Sequence, residues 1–353
     1  MKISLRWYNT EDDIPLKYIK QIPGVKGIVS AIYDVPEGEV WPKDKIKDLI
    51  NKVESAGMEL TAIESLPVHE DIKMGKPSRD KYIENYNKSL ENLGDLGIKV
   101  VTYNFMPVFD WTRSELNFEL EDGSKALIYE GDKVKNMNPL DGTTDLPGLD
   151  QDADVPEWDD NKSALIEKMK FYQDISEEDL WDNLVYFLKG IVKTAEANDI
   201  KLAIHPDDPP WSIFGLPRII TGKESYRKMF ELVPSPANGL ALCTGSLGAD
   251  PDNNLPELIR EFGDRIHFAH IRNIKHTGDK SFRESAHPSE YGSLDIYEVM
   301  KAYHEIDFQG PMRPDHGRMI WGETGKAGYG LYDRALGATY LYGLWEAIKK
   351  SDN

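Results

Sequence analysis

The sequence predicts one (β/α)8 barrel, the TIM-barrel fold, from two observations. Along 353 residues, eight short apolar runs alternate with eight segments of helical character, which is the element count of this fold at a permissive length. Four of the apolar runs also end in a side chain that can bind a metal ion: His205, Cys243, His270 and Asp315. Because all strands of a parallel barrel end at one face, where TIM-barrel enzymes carry their active site, we expect these four side chains to meet there.

Strands are expected where short apolar runs lack helical periodicity. In chain order they are residues 3–7, 27–32, 60–63, 99–104, 201–205, 240–243, 266–270 and 310–313. Helices are expected between them, at residues 16–21, 43–56, 81–96, 177–198, 223–232, 255–262, 294–304 and 331–350. The helix at 43–56, for example, carries Ile46, Leu49, Ile50 and Val53 on one face, as a helix packed against a barrel requires.

One segment, residues 105–176, interrupts the alternation of strands and helices. It is far longer than an ordinary connection between a strand and a helix, and residues 136–160 within it are rich in Pro, Gly, Asp and Thr. Because it follows the fourth strand, it is expected at the catalytic face, either as a lid or wall or as a mobile decoration. The whole chain, residues 1–353, is expected to form a single domain with this insertion.

Net charge and composition indicate which binding partners and which cellular compartment to expect. The net charge of −19 disfavours binding to nucleic acid or to anionic membranes. A single cysteine excludes an internal disulfide and suits a reducing compartment. The sequence starts without a secretory apolar region and contains no run of about 18 apolar residues, so we expect a cytoplasmic protein.

The four strand-end residues form a donor set that suits a divalent transition metal and leaves positions open for a substrate. His205 precedes a rigid polar run that begins with Pro206, where an imidazole is poorly placed for core packing. Cys243 taken alone fits a buried inert thiol, and only its place in the pattern favours a ligand. His267 and His270 have opposite parity along one strand, so only one of them, His270, is expected to face the barrel interior.

Three further side chains are candidates at the same face. His316, next to Asp315, could act as a general acid or base or contact the substrate. Tyr329 lies between two glycines, which could bring its phenol into the site, although a surface tyrosine is the equal alternative. Arg272 shares the face of His270, where its guanidinium could bind a carboxylate with two hydrogen bonds.

At these residues the chain resembles the mannonate dehydratase family over nearly its whole length. The resemblance runs through residues 6–8, 64–73, 103–113, 205–210, 243–245, 270–272, 313–317 and 328–330. It implies a xylose-isomerase-like TIM barrel, a homodimer, and a hydro-lyase of hexuronate (glucuronate) breakdown that converts D-mannonate to 2-keto-3-deoxy-D-gluconate and water.

The resemblance also implies roles for individual residues. A Mn²⁺ ion, with Fe²⁺ or Co²⁺ as alternatives, would be held by His205, Cys243, His270 and Asp315. His316 and Tyr329 would be essential for catalysis, and which of them is the acid and which the base stays open. Contacts with the sugar acid are expected within the matched motifs, at Arg272, Trp7, His69, Asn104 and Arg313.

Three rival functions were weighed against this interpretation. A metal-dependent sugar isomerase or epimerase on the same barrel would use the same metal but return the proton to carbon. A DNA-repair endonuclease of this fold would need a basic surface, which the charge of −19 contradicts. A non-catalytic, metal-stabilised binding protein would close the metal site with protein ligands, and the polar His316 and Arg272 at the same face have no structural need there.

Overall fold

The computed structural model describes residues 1–141 and 162–351. Its central feature is a closed barrel of eight parallel strands, which confirms the predicted fold. The barrel strands are β1 (Lys2–Arg6), β2 (Gly27–Ser30), β3 (Glu59–Ile63), β4 (Val100–Tyr103), β7 (Lys201–Ile204), β8 (Asn238–Cys243), β9 (Ile266–Ile271) and β12 (Pro311–Pro314). They follow one another around the barrel in chain order, and β12 closes it against β1.

All eight predicted helices are present, with boundaries within two residues of the prediction. They are α1 (Leu16–Ile19), α2 (Lys43–Ser55), α4 (Arg79–Asp95), α7 (Glu177–Ala197), α8 (Lys223–Leu232), α10 (Leu255–Glu261), α11 (Ile296–Glu305) and α12 (Leu331–Ser351). Four more helical segments of the described chain were not predicted: α3 (Glu70–Lys73), α5 (Gly131–Lys135), α6 (Lys162–Tyr172) and α9 (Thr244–Leu247). None of the described helices is long and apolar enough to cross a membrane.

A layer of apolar side chains from neighbouring strands fills part of the barrel interior. Six strands contribute one residue each to this separate apolar cluster, and these residues are Val29, Ala62, Val100, Ala203, Ala241 and Phe268. Phe268 is the one large member, and its ring meets that of His270 edge-on with the centroids 4.5 Å apart. Because Phe268 and His270 are two residues apart on β9, both face inward, and the inner layer supports the floor of the site.

A second sheet, which the sequence analysis missed, stands beside the barrel mouth. It consists of four antiparallel strands in the order β10, β11, β6, β5, and they are β5 (Glu115–Glu119), β6 (Lys125–Tyr129), β10 (Ile274–Gly278) and β11 (Ser281–Glu284). Two hairpins form it, one from the insertion and one from the segment after β9. No strand or helix was expected in residues 105–176, whereas the structure places β5, β6, α5 and α6 in this segment.

The hairpins escaped prediction because their strands are short and carry charged residues. The tip of the first hairpin has recognisable turn chemistry: Gly123 has a positive φ of 78°, and the Asp122 carboxylate accepts a hydrogen bond from the Ser124 amide at 3.0 Å. The sequence analysis singled out residues 136–160 within the insertion, and the part of this stretch beyond Asp141 lies outside the described residues.

Candidate active site and metal centre

A cavity of about 50 Å³ lies at the carboxyl ends of the barrel strands. Most residues of its wall are polar or charged. Those at or just after strand ends include Arg6, Glu64, Asn104, His205, Arg272, Arg313, Asp315 and His316, and Tyr329 joins them from the loop before α12. Met106, Asp110 and Trp111, from the start of the insertion, complete the wall. Seven of the eleven residues that the sequence analysis assigned to the site therefore line one cavity.

Three of the four expected ligands form a compact cluster. One ligand atom each of His205, Cys243 and His270 lies within 4.8 Å of the others, with no other such group in residues 1–141 and 162–351. The cluster follows from strand register, because Cys243 pairs with His270 across β8 and β9, and His205 comes directly after the end of β7. As strand parity predicted, His267 lies outside the cluster, and its Nδ1 atom lies 2.7 Å from the Leu202 carbonyl oxygen.

The fourth expected ligand, Asp315, lies next to this cluster. Its Oδ2 atom is 3.4 Å from the Cys243 sulfur, and its Oδ1 atom is 4.0 Å from Nδ1 of His270. Two guanidinium groups hold the carboxylate, Arg313 at 2.8 Å and Arg272 at 3.3 Å. The structure thus brings all four predicted metal residues together.

The donor atoms fit a divalent cation. Neither ring nitrogen of His270 has a hydrogen-bond partner in the described part of the chain, although the ring is fully buried. A buried imidazole without partners is costly unless a ligand satisfies it. In His205, Nδ1 lies 2.7 Å from the Pro206 carbonyl oxygen and so carries the ring proton of the neutral imidazole, which leaves Nε2 free to bind a metal.

The electrostatics of the cluster agree with neutral ligands before metal binding. Burial lowers the pKa of His205 and that of His270, so both imidazoles are neutral. Burial, reinforced by the Asp315 charge, raises the pKa of Cys243 to about 12. A thiolate ligand at this position therefore requires a cation to displace the proton, and metal binding releases it.

His316 and Tyr329 form a hydrogen-bonded pair in the cavity wall. The His316 Nε2 atom lies 2.8 Å from the Tyr329 hydroxyl oxygen, and both side chains are buried. The alternative of a surface tyrosine was therefore wrong. On the other side of the ring, Nδ1 of His316 lies 2.9 Å from Arg272 and 3.4 Å from Glu284.

Arg272 and Arg313 line the cavity, but their guanidinium groups are already engaged. Arg272 donates to Asp208 at 2.7 Å, and Arg313 makes two hydrogen bonds to Glu64 at 2.7 and 2.9 Å. The two-bond clamp of Arg272 on a substrate carboxylate stays a prediction: protein groups engage both terminal nitrogens of the guanidinium, and its Nε–H has no hydrogen-bond partner in residues 1–141 and 162–351. Gly245 makes this arrangement possible, since a Cβ atom there would lie 1.8 Å from Nε of Arg272.

Two predicted substrate contacts do not line this cavity. The Trp7 indole donates to the Ile14 carbonyl oxygen at 3.1 Å, because the residue after Arg6 in an extended chain faces the opposite way. His69 is the N-cap of α3, where it accepts a hydrogen bond from the Asp71 amide at 3.1 Å and stacks on Tyr82. Asn104 does line the cavity.

Several buried charged groups at the site were not predicted from the sequence. Glu64 directly follows strand β3, as the candidate metal ligands lie at or just after the ends of their strands. Burial alone would raise the pKa of Glu64, but Arg313, His270 and Arg6 together lower it to about 2. Asp208 is paired with both Arg113 and Arg272, which hold its pKa well below the usual range. The strand-end signal could have identified Glu64, whereas Asp208 has no such signal.

The position of the cluster at the barrel mouth defines a class: a metal-dependent enzyme built on a TIM barrel. The sequence profile of the D-mannonate dehydratase family matches residues 1–353. Mannonate dehydratase 2 of Halalkalibacterium halodurans is 59% identical over 350 residues, which cover 99% of each chain. A crystal structure of mannonate dehydratase from Streptococcus suis matches with a TM-score of 0.91 and 48% identity, covering 100% of this chain and 96% of that one.

The chain therefore belongs to the D-mannonate dehydratase family, and it is a hydro-lyase. This confirms the resemblance on which the sequence analysis relied. A solved L-ribulose 3-epimerase, at 14% identity and a TM-score of 0.57, shares the fold alone.

Proposed function

We propose that the protein removes water from D-mannonate to give 2-keto-3-deoxy-D-gluconate, with His316 and Tyr329 transferring the protons. The hydrogen bond of 2.8 Å between these two groups, in the cavity that His205 and Asp315 also line, carries the proposal. The substrate and the importance of these two residues are taken from the family, and the geometry supports their action as a pair.

The cation would be held by His205, Cys243, His270 and Asp315. Imidazole, thiolate and carboxylate donors together suit a transition metal, for which Mn²⁺ is our first candidate and Fe²⁺ and Co²⁺ are the alternatives. When bound, the cation offsets the negative charge that develops on the substrate carboxylate as its neighbouring C–H bond breaks.

The chain's own groups then account for the proton transfers. One member of the His316–Tyr329 pair accepts the proton from C2, and the other donates a proton to the C3 hydroxyl oxygen as the C–O bond breaks and water leaves. The enol product becomes the ketone when C3 gains a proton. Each such transfer contributes typically about 10²–10⁴ in rate. Because the two groups are directly hydrogen-bonded, a proton can pass between them and restore the starting state.

Arg313, Glu64 and Arg272 position the reacting groups in this mechanism. Arg313 joins Glu64 to Asp315 through bonds of 2.7 and 2.8 Å, so one guanidinium fixes two carboxylates at the cavity. Buried charge pairs with several hydrogen bonds hold side chains in narrow orientations, as a reaction with two proton transfers requires.

The test is conversion of D-mannonate by the purified protein. EDTA-treated protein reloaded with Mn²⁺ should release a 2-keto-3-deoxy acid, whereas EDTA-treated protein should not; D-gluconate, which differs only at C2, is the stereochemical control. Solvent deuterium incorporated at carbon without a keto acid would instead support the rival sugar epimerase. Metal binding without turnover would support the metal-stabilised binding protein.

We also propose that the start of the insertion is part of the site wall and that the chain is one domain. Asp110 and Trp111 line the cavity, and Arg113 pairs with Asp208 at 2.8 Å, which supports this role. A cavity of about 50 Å³ has room for only a few water molecules, so a six-carbon acid requires wall groups to move. Hydrogen exchange of residues 105–113 should therefore slow when D-mannonate binds, and equal exchange would contradict a wall role.

The cellular setting is proposed from the family and the composition. We propose a cytoplasmic homodimer that acts in glucuronate breakdown on a small sugar acid, without nucleic acid or membrane partners. The single cysteine, which is buried, suits a reducing compartment. Light scattering of the purified protein tests the dimer directly.

A further inference from the structure

Glu284 reaches the catalytic pair from outside the barrel. It is the last residue of β11 in the second sheet, and its side chain is fully buried. Its Oε1 atom lies 3.4 Å from Nδ1 of His316 and 3.1 Å from Arg113. Glu284 does not line the cavity, so it contacts His316 from behind the face that the substrate meets.

Two groups of opposite hydrogen-bonding character compete for the same ring nitrogen. Arg272 lies 2.9 Å from Nδ1 of His316 and can only donate, because a guanidinium does not lose its proton in proteins. Glu284 can only accept, since the nearby guanidinium of Arg272 outweighs its burial and lowers its pKa, which keeps it ionised. Nδ1 is therefore unprotonated when it faces Arg272 and protonated when it faces Glu284.

This competition determines the direction of the hydrogen bond to Tyr329. If Nδ1 of the neutral ring has no proton, Nε2 carries it and donates to the Tyr329 oxygen. If Nδ1 donates to Glu284, Nε2 has a free lone pair and accepts the Tyr329 proton. The group that faces Nδ1 thus decides which member of the pair holds the proton that is transferred.

We propose that Glu284 is a positioning residue that favours the His316 tautomer protonated at Nδ1, so that Nε2 accepts a proton and Tyr329 donates one. Arg272 opposes it, and the balance between the two sets the resting state of the pair. This inference rests on the proposed function of His316. A second observation supports an adjustable contact: Oε2 of Glu284 is buried and has no hydrogen-bond partner in residues 1–141 and 162–351. Rotation of the carboxylate can therefore bring either oxygen to the ring.

A merely structural role is the rival explanation, since Glu284 also offsets the buried charges of Arg113 and Arg272 at 3.1 and 3.4 Å. Glu284→Asp separates the two roles. It keeps the negative charge in the cluster but shortens the side chain by one methylene, which withdraws the oxygen from Nδ1. Charge compensation alone predicts nearly normal turnover for this variant.

The experiment compares Glu284→Asp and Glu284→Gln with wild type, all loaded with the same metal. We expect kcat to fall about 10- to 100-fold in both, the range found when a group that orients a functional side chain is lost. KM for D-mannonate and bound metal should change less than about threefold, because Glu284 touches neither the cavity nor the metal cluster. Glu115→Gln, which removes a half-buried carboxylate from β5 of the same sheet, is the matched control and should keep normal kcat.

A spectroscopic measurement tests the contact independently of activity. In Zn²⁺-loaded protein labelled with ¹⁵N-histidine, the nitrogen shifts of His316, assigned with His316→Asn, should move towards the Nε2-protonated tautomer in Glu284→Asp. Unchanged nitrogen shifts, or kcat of Glu284→Asp within about twofold of wild type, would overturn the inference. If Glu284→Gln does not fold, Glu284→Asp still decides it. Normal activity of His316→Asn would instead refute the proposed role of His316 in catalysis. The nitrogen shifts would then still test whether Glu284 sets the tautomer of His316.

Discussion

The Nε2 atom of His316 lies 2.8 Å from the hydroxyl oxygen of Tyr329, and both groups border the cavity that His205 and Asp315 also line. The two residues come from separate parts of the loop between β12 and α12, which folds back so that Gly317 donates to the Gly328 carbonyl oxygen at 2.8 Å. The loop thereby holds the His316 and Tyr329 side chains together as one hydrogen-bonded pair.

Replacing Cys243 with Ser should weaken metal binding while the fold is kept. A hydroxyl is nearly the size of the thiol but is a much poorer ligand for a transition metal. We expect affinity to fall by more than about tenfold, since loss of a group that only orients a ligand already costs about 10- to 100-fold. Metal titration followed by elemental analysis measures this, with circular dichroism as the check on folding. Full occupancy and normal turnover would remove Cys243 from the site.

His316→Asn and Tyr329→Phe should each bind the metal and D-mannonate yet lose about 10²-fold or more in kcat. Neither group is among the clustered ligands, and each substitution keeps most of the buried volume. Single-turnover kinetics together with binding calorimetry separate chemistry from affinity. The double variant should be little slower than either single variant, because the two groups work as a pair. If either single variant turns over normally, that residue takes no part in proton transfer.

Tyr172→Phe should destabilise the protein by about 1–3 kcal/mol, the cost of leaving a buried acceptor without its partner. The Tyr172 hydroxyl at the end of α6 donates to Glu70, a buried residue that also pairs with Lys73 at 2.8 Å. Lys73 in turn donates to the Met106 carbonyl oxygen at 2.9 Å, so this network ties both ends of the insertion to the barrel.

The matched control for Tyr172 is Tyr186→Phe, whose hydroxyl bonds Asp80 at 2.7 Å on the exposed surface. Its unfolding free energy should change by less than about 0.5 kcal/mol. Urea unfolding of both variants measures the difference. Equal effects would mean that the buried network does not hold the insertion.

The stability of the wild type should fall in acid partly through His267. Burial is the main cause that lowers the pKa of His267 to about 4, below the value of about 6.5 for a free imidazole. Because the folded pKa is the lower one, the stabilisation is present above pH 6.5 and is lost as pH falls through 4.

His267→Gln removes this contribution, so the stability difference between wild type and variant should shrink by on the order of 3 kcal/mol between pH 7 and pH 4. Unfolding at several pH values in EDTA, which excludes the titration of bound metal, provides the measurement. Parallel curves for the two proteins would show that His267 contributes no pH dependence.

The order of strands and helices was predictable because it depends on local patterns of apolar residues. A buried parallel strand such as Leu202 to Ile204 needs only its own apolar run, and α2 needs only the spacing of Ile46, Leu49 and Val53. The grouping of the four candidate metal ligands was predictable for the same reason: each lies at or just after the end of a recognisable strand, and strand parity separated His270 from His267.

The sequence by itself therefore determined the barrel and the residues grouped at its mouth, since backbone periodicity and strand ends act over a few residues. Only the tertiary structure decided how those residues are engaged. It paired Arg272 with Asp208, and it brought Glu284 to His316 through a sheet whose two hairpins lie more than a hundred residues apart. These side-chain pairings depend on which charged groups and strand edges come together after folding. They cannot be predicted from a local pattern of apolar residues.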